Sequence, residues 1–85
     1  MKLLDCCKLH RRRRQWTLMV YAGHIHALEV NESFAHLWQA FDGKEFTRSD
    51  VAAFLEGEYG LDEAEAREQA AQICDLWETQ HLLMP

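Results

Sequence analysis

The most constraining feature of the chain is an abrupt change of hydrophobic period at Asn31. Residues 24–30, HIHALEV, are typical of a β-strand, and Asn31 is a favoured N-cap for a helix that begins immediately after it. The next apolar residues fall at i, i+3, i+4 and i+7 on one helical face: Phe34, Leu37, Trp38 and Phe41. Because no linker separates the two elements, the strand must be held rigidly beside the helix.

Strand-like segments precede this joint. Trp16–Tyr21 is rich in β-branched and aromatic residues, and Ala22–Gly23 is a turn signal that lets His24–Val30 return antiparallel. A first strand is also expected around Lys8–Arg13, although its adjacent arginines do not alternate with apolar residues. The sequence therefore predicts a sheet of two or three antiparallel strands.

Helix signals follow the joint. Gly43 and Gly60 suit the left-handed positions that end a first and a second helix. Thr47 can cap the second helix, and Asp50 can accept a hydrogen bond from the Thr47 amide as in a capping box. Asp62 begins a third helix that extends to about residue 80. The aromatic residues expected in the core are Phe34, Trp38, Phe41, Phe54, Tyr59 and Trp77. Strands followed by helices predict one α+β domain over residues 1–85.

Charge is divided unevenly along the chain. Residues 1–14 hold six basic residues against one acid, whereas the remainder holds three basic residues against 13 acids. This distribution predicts a basic N-terminal arm on an acidic body. The run Arg11–Arg14 is open to several interpretations: contact with phosphates, docking of an acidic leader or a partner enzyme, or protection of an edge strand from aggregation.

The three cysteines, Cys6, Cys7 and Cys74, do not form the even, spaced set of a disulfide framework, so reduced thiols are expected. The first residues lack the apolar run of a signal peptide, and no segment is apolar enough to span a membrane. The sequence therefore predicts a cytoplasmic protein without a membrane association.

An ordered set of short motifs runs through residues 16–83. It comprises Asn31-Glu32-Ser33, Leu37-Trp38, Asp42-Gly43-Lys44, Phe46-Thr47, Glu58-Tyr59-Gly60-Leu61-Asp62, Ala66 and Leu82-Leu83. At this spacing the set resembles the PqqD-like family, whose members are small winged-helix domains that recognise leader peptides in pathways of ribosomal peptide natural products. The chain departs from the family pattern at Val30, Gln69 and His81.

The resemblance implies binding by strand addition. The leader segment of a precursor peptide would pair with the free edge of the third strand, His24–Val30, and its side chains would enter a groove against the third helix. About four new hydrogen bonds would stabilise the complex by roughly 0.5–1.5 kcal/mol each. Ordering about six leader residues costs roughly 1 kcal/mol or more each, so the two contributions nearly cancel. Two or three leader side chains must therefore be buried as well.

Small residues on the third helix are expected to leave a trough for these side chains, with charged residues on its rim. The small residues are Ala70, Ala71 and Cys74, and the rim residues are Arg67, Asp75 and Glu78. The expected strand contacts are His24, Ile25, His26, Ala27, Leu28, Glu29 and Val30.

The resemblance also implies a non-catalytic adaptor whose partner is a modifying enzyme, either a radical SAM enzyme or a leader protease and cyclase pair as in lasso-peptide pathways. The residues agree with the absence of catalysis, because no nucleophile has a recognisable base and no paired carboxylates stand out. No cofactor is expected. No metal site is expected either, since His24 and His26 provide two ligands at most; the alternative interpretation is that they tune leader binding with pH.

The rival hypothesis is a small winged-helix regulator that binds DNA through the basic arm. Acidic residues along the third helix would repel phosphate, which makes nucleic acid the less favoured partner. An open strand edge is compatible with a monomer or with a strand-exchanged dimer.

Overall fold

Three antiparallel strands form the first third of the protein. The computed structural model describes residues 1–85, with β1 at Cys7–Arg12, β2 at Gln15–Val20 and β3 at His26–Val30. The strand order is β1-β2-β3, so β2 is central and the other two strands are edges. The sheet prediction is confirmed in its three-stranded form, but β3 begins two residues later than predicted because the bend at residues 22–24, followed by Ile25, precedes it.

The arginine run forms the tight β1–β2 turn. Arg12 pairs with Gln15, so Arg13 and Arg14 alone connect the strands, and Arg13 adopts a φ of 58°. Arg11 lies over the ring of Trp16 at 5.6 Å from the ring centroid, a cation–π contact. Arginines that do not alternate with apolar residues can therefore still form a strand, because one of them has an aromatic partner across the ladder.

Three helices follow, and their bounds are set by local caps. They are α1 at Glu32–Phe41, α2 at Arg48–Tyr59 and α3 at Glu63–Thr79. The Asn31 side chain accepts a hydrogen bond from the Phe34 amide at 2.8 Å, which starts α1 directly after β3. The Asp62 side chain caps α3 through the Glu65 amide at 2.8 Å. The predicted α+β class is confirmed.

The capping box of α2 is complete. The Thr47 amide donates to Asp50 Oδ2 at 2.8 Å, and the Asp50 amide donates to Thr47 Oγ1 at 3.2 Å. Gly60 ends the helix in the left-handed region with a φ of 65°, where a residue with a Cβ is disfavoured. Both ends of α2 are therefore specified by neighbouring residues in the sequence.

An aromatic cluster joins the helices to the sheet. The Trp77 ring is fully buried and lies edge-on to Phe34, Trp38 and Phe46, at centroid distances of 5.8–6.5 Å. Such aromatic pairs contribute roughly 0.5–1.5 kcal/mol each beyond the burial of their area. Leu18 and Val20 of β2 belong to the same core. Trp38, Phe41 and Trp77 are buried as predicted. Phe34 and Phe54 are only partly buried against this core, and Tyr59 is 41% exposed at the end of α2.

The basic N-terminal segment is part of the fold and not a free arm. Leu3 is fully buried in the core. The Leu4 amide donates to the Leu82 carbonyl at 2.7 Å, and the Met84 amide donates to the Lys2 carbonyl at 2.8 Å. Residues 2–4 therefore pair with the segment that follows α3, whereas the Met1 backbone pairs with Phe46. Sequence patterning alone does not show this pairing, because the two segments lie at opposite ends of the chain.

The helices are too short or too polar to cross a lipid bilayer.

Candidate functional site

The outer edge of β3 is unpaired. β3 pairs with β2 alone, and no backbone hydrogen bond outside that ladder involves residues 26–30. An open edge of this kind offers amide donors and carbonyl acceptors to an incoming strand. The predicted free edge of the third strand is therefore present, although it spans His26–Val30 and not the whole of residues 24–30.

The ladder identifies the residues whose backbone groups face outward. The Tyr21 amide donates to the Cys6 carbonyl at 2.8 Å, so odd-numbered residues of β2 pair with β1 and even-numbered ones pair with β3. Leu18 is thus the hydrogen-bonded partner of Leu28. By the same alternation Ala27 and Glu29 direct their amide and carbonyl groups away from the sheet. These two residues are the pairing positions of the open edge.

The side chains of β3 alternate between a buried and an exposed face. Leu28 and Val30 lie opposite Leu18 and Trp16 of β2 and are half-buried. Ala27 and Glu29 project to the other, solvent-exposed face. A strand added at this edge would place every second side chain beside Leu28 and Val30.

An open cleft with a volume of about 320 Å³ lies against this half-buried face. Its lining residues come from β3, the start of α1, the end of α3 and the segment after it: Leu28, Glu29, Val30, Asn31, Phe34, Leu76, Gln80 and Leu82. Five of the eight are apolar, and Leu76 is 48% exposed. An exposed leucine beside an unpaired strand edge can gain burial only from an added group. We call these eight residues the β3–α3 cleft.

The trough predicted from small residues is not open. Ala70 and Cys74 are buried at 1% exposure within the core, and burial raises the pKa of the Cys74 thiol. Arg48 of α2 donates to the Ala71 carbonyl at 3.5 Å and to Asp75 Oδ1 at 2.7 Å. Small side chains on α3 thus allow α2 to approach closely, and this packing fills the space that the sequence assigned to a ligand.

The other predicted rim residues also lie away from the β3–α3 cleft. Arg67 pairs with Glu63 one helical turn earlier, at 2.6 Å between Nη2 and Oε1. Glu78 lies on another side of α3, near His81 and the last residues of the chain. The cleft is reached from α3 through Leu76 and Gln80, and from α1 through Phe34.

A sequence signal for the missed position Leu76 exists. The buried stripe of α3 consists of Ala66, Ala70, Cys74 and Trp77. Leu76 lies off that stripe, so a large apolar residue occupies a face that the helix does not bury. Phe34, by contrast, belongs to the predicted apolar stripe of α1, and its place in the cleft follows only from the tertiary arrangement.

His24 and Ile25 lie just before the open edge. His24 belongs to the bend that contains Gly23, and its ring is 5.4 Å from that of His26, measured between centroids. Ile25 is 67% exposed. No group of three or more His, Cys, Asp or Glu residues is arranged to hold a metal ion.

Comparison with known proteins gives one positive finding. The family model described as coenzyme PQQ synthesis protein D (PqqD) matches residues 17–83, which is most of the chain and includes all three helices and the β3–α3 cleft. No curated protein and no solved structure matches the chain.

Proposed function

The chain belongs to the PqqD family, and on this premise we propose that it binds the leader segment of a ribosomally made precursor peptide and delivers it to a separate modifying enzyme. The family supports a non-catalytic, peptide-binding accessory role in the biosynthesis of PQQ and related peptide-derived products. The observation that carries the proposal for this chain is the unpaired edge of β3 beside the apolar β3–α3 cleft.

The leader would add to the sheet as a fourth strand. Its backbone would pair with Ala27 and Glu29, whose amide and carbonyl groups face outward. The leader residue between these two pairs lies across from Leu28, so its side chain would enter the cleft. The next side chain on that face is two residues away. We therefore expect a leader with apolar residues at i and i+2.

The cleft, and not the backbone ladder, would supply most of the affinity. The hydrogen bonds of strand addition are nearly cancelled by the ordering of the leader. Each large apolar side chain that becomes buried contributes about 1.5–3 kcal/mol. Leu28, Phe34 and Leu76 provide the apolar surface for two such side chains, while Asn31 and Gln80 leave polar groups at the margin.

The modifying enzyme would be a radical SAM enzyme or a leader protease and cyclase pair. By holding the leader and contacting the enzyme at once, the adaptor would raise the local concentration of substrate at the enzyme. DNA binding is less well supported as a function. The first turn of α3 carries Glu63 and Glu65, and the α3 residue Arg67 is already paired with an acid.

The proposal is tested by a search of the neighbouring genes for a short precursor peptide, followed by titration with a synthetic peptide of its leader segment. We expect a Kd of about 1 μM or tighter, which corresponds to about −8 kcal/mol. Leu76→Glu should weaken binding at least about tenfold, because it places a charge in the apolar cleft. Ala53→Glu introduces the same charge at an exposed position of α2 and should bind like the wild type.

Two results would count against the proposal. One is the absence of leader binding to a folded wild-type protein. The other is equal binding by Leu76→Glu and Ala53→Glu, which would place the leader outside the β3–α3 cleft.

A further inference from the structure

The β1–β2 hairpin carries a concentrated positive charge. Arg12, Arg13 and Arg14 line one open depression at its tip, together with Gln15. Lys8 and His10 are exposed on β1, on the same face of the strand as Arg12. We call Lys8, His10 and Arg12–Arg14 the basic hairpin surface. It forms one edge of the sheet and continues around the turn.

No carboxylate within the protein neutralises this surface. The side-chain ion pairs of the chain are Arg48–Asp75 and Arg67–Glu63, and both lie on the helices. Arg11 alone among the four arginines has partners, namely the Trp16 ring and the Arg13 carbonyl. The basic hairpin surface therefore has the hydrogen-bonding capacity of three guanidinium groups free for another molecule.

The β1–β2 turn also contains an unfavourable backbone conformation. Arg13 has a φ of 58°, a left-handed conformation that glycine adopts at no steric cost and that a residue with a Cβ adopts reluctantly. Three adjacent like charges at a turn add repulsion. Neither feature stabilises the fold, and local conflicts of this kind concentrate at sites of function.

The position of the surface leaves the β3–α3 cleft free. β1 and β3 are the two edges of the sheet, separated by β2. Neighbouring strands are about 4.8 Å apart, so the two edges are about 10 Å apart across the sheet. A peptide added to β3 would lie farther away still. A partner on the hairpin and a peptide on β3 can therefore be bound together.

We propose that the basic hairpin surface docks a partner protein through a patch of Asp and Glu side chains. Guanidinium groups match carboxylates with paired, parallel hydrogen bonds, which makes arginine suited to this contact. That the partner is the modifying enzyme rests on the function proposed above. The docking itself is independent of that function.

The charge of the rest of the molecule favours an acidic protein patch over nucleic acid. Outside residues 1–14 the chain holds 13 acids and three basic residues. A long polyanion such as DNA would extend past the hairpin and be repelled by these acidic residues. The repulsion acts over a screening length of about 8 Å at physiological salt. A patch of limited extent touches the hairpin alone.

The test uses a short fluorescent peptide of Glu and Asp residues, with a short DNA duplex as the competing class of ligand. Arg12→Gln/Arg14→Gln removes two charges from the basic hairpin surface. Lys44→Gln/Arg67→Gln removes two charges elsewhere and is the matched control. Circular dichroism confirms that both variants are folded, and amide chemical shifts locate the bound peptide.

We expect the acidic peptide to shift amides of residues 8–15 and to leave those of β3 and α3 unchanged. The hairpin variant should bind at least about fivefold more weakly than the control, because each exposed ion pair contributes modestly. Equal binding by the two variants would overturn the proposal. Tighter binding of the DNA duplex at the same residues would also overturn it, in favour of a nucleic-acid partner.

Measuring the affinity for the acidic peptide with and without saturating leader peptide separates this proposal from the proposed function. If the leader binds and the acidic peptide still binds with unchanged affinity, the two surfaces are separate, as the geometry requires. Displacement of the acidic peptide by the leader would contradict the separation. Failure of leader binding together with intact acidic-peptide binding would reject the leader hypothesis and leave the hairpin proposal standing.

Discussion

Single residues in the β1–β2 turn carry a backbone cost that side-chain contacts do not offset. Arg13 is held at a φ of 58°, whereas Arg14 beside it has no positive φ. Arg13→Gly should therefore raise the free energy of unfolding by about 0.5–1 kcal/mol, because glycine removes the steric conflict of the left-handed conformation. Urea denaturation at fixed pH and salt measures the change.

Arg14→Gly is the matched control for this prediction, since it removes the same charge from the same turn. It should lower stability by a few tenths of a kcal/mol or more, because glycine gains freedom in the unfolded chain without relieving any conflict. Stabilisation of similar size by both substitutions would mean that charge repulsion, and not the backbone conformation of Arg13, is the source of the strain.

Cys7 gives a second prediction at the scale of one residue. Burial raises the pKa of its thiol from 9.0 to about 11, with smaller contributions from Cys6, Asp42 and Asp5. Above pH 9 the unfolded chain loses this proton while the folded protein keeps it, so stability falls as the pH rises from 9 toward 11. Urea midpoints below and within this range measure the decline.

Cys7→Ser isolates the contribution of the thiol, since a serine hydroxyl does not ionise in that range. The variant should lose less stability than the wild type between pH 9 and pH 11, even though the Cys74 thiol, whose pKa is also raised by burial, is present in both proteins. Parallel profiles for the two proteins would show that the Cys7 thiol is not desolvated in the folded state.

At the scale of an element, one edge of β3 pairs with β2 and the other edge is unpaired. The Leu28 amide belongs to the ladder with β2, and the Ala27 amide faces the open side. Proline is tolerated on an edge strand where the lost amide hydrogen faces solvent. Ala27→Pro should therefore fold and yet bind the leader at least about tenfold more weakly, because it removes a donor from the open edge.

Leu28→Pro is the reciprocal substitution and should be far more destabilising, by about 3 kcal/mol or more, because it breaks the pairing with Leu18 and the packing of a half-buried side chain. Thermal unfolding and leader titration of both variants provide the measurements. Leader binding by Ala27→Pro at wild-type affinity would exclude strand addition at this edge.

At the scale of the whole molecule, the two ends of the sequence complete one core. Leu3 is fully buried, and its neighbours pair with the segment that follows α3. Leu3→Ala should cost about 2–5 kcal/mol, a large fraction of the stability of a domain this small. Chemical denaturation measures the loss.

Leu76→Ala is the matched control, because it removes the same atoms from a side chain that is 48% exposed. Its cost should be well under half of that for Leu3→Ala. If Leu3→Ala cost no more than Leu76→Ala, the first residues would be a detachable arm, as the charge pattern alone suggests.

The sequence by itself determined the local structure of this protein. The caps at Asn31, Thr47 and Asp62, the left-handed Gly60 and the strand-to-helix joint each depend on residues a few positions apart. Contacts over such short separations are specified by side-chain chemistry and backbone preference, so they predict the α+β order of elements. The free edge of the third strand was implied by the family resemblance. The ordered motifs of residues 16–83 likewise predicted the family.

Only the tertiary structure decided which side of α3 faces the open edge. The small residues Ala70 and Cys74 are compatible with a ligand trough or with close helix packing, and α2 occupies that side through Arg48. The cleft consequently lies at Leu76 and Phe34. The basic N-terminal segment contributes β1 to the sheet and the buried Leu3 to the core. A periodic pattern shows which face of an element is apolar, but the partner of that face is set by competition among all the elements for the same buried volume.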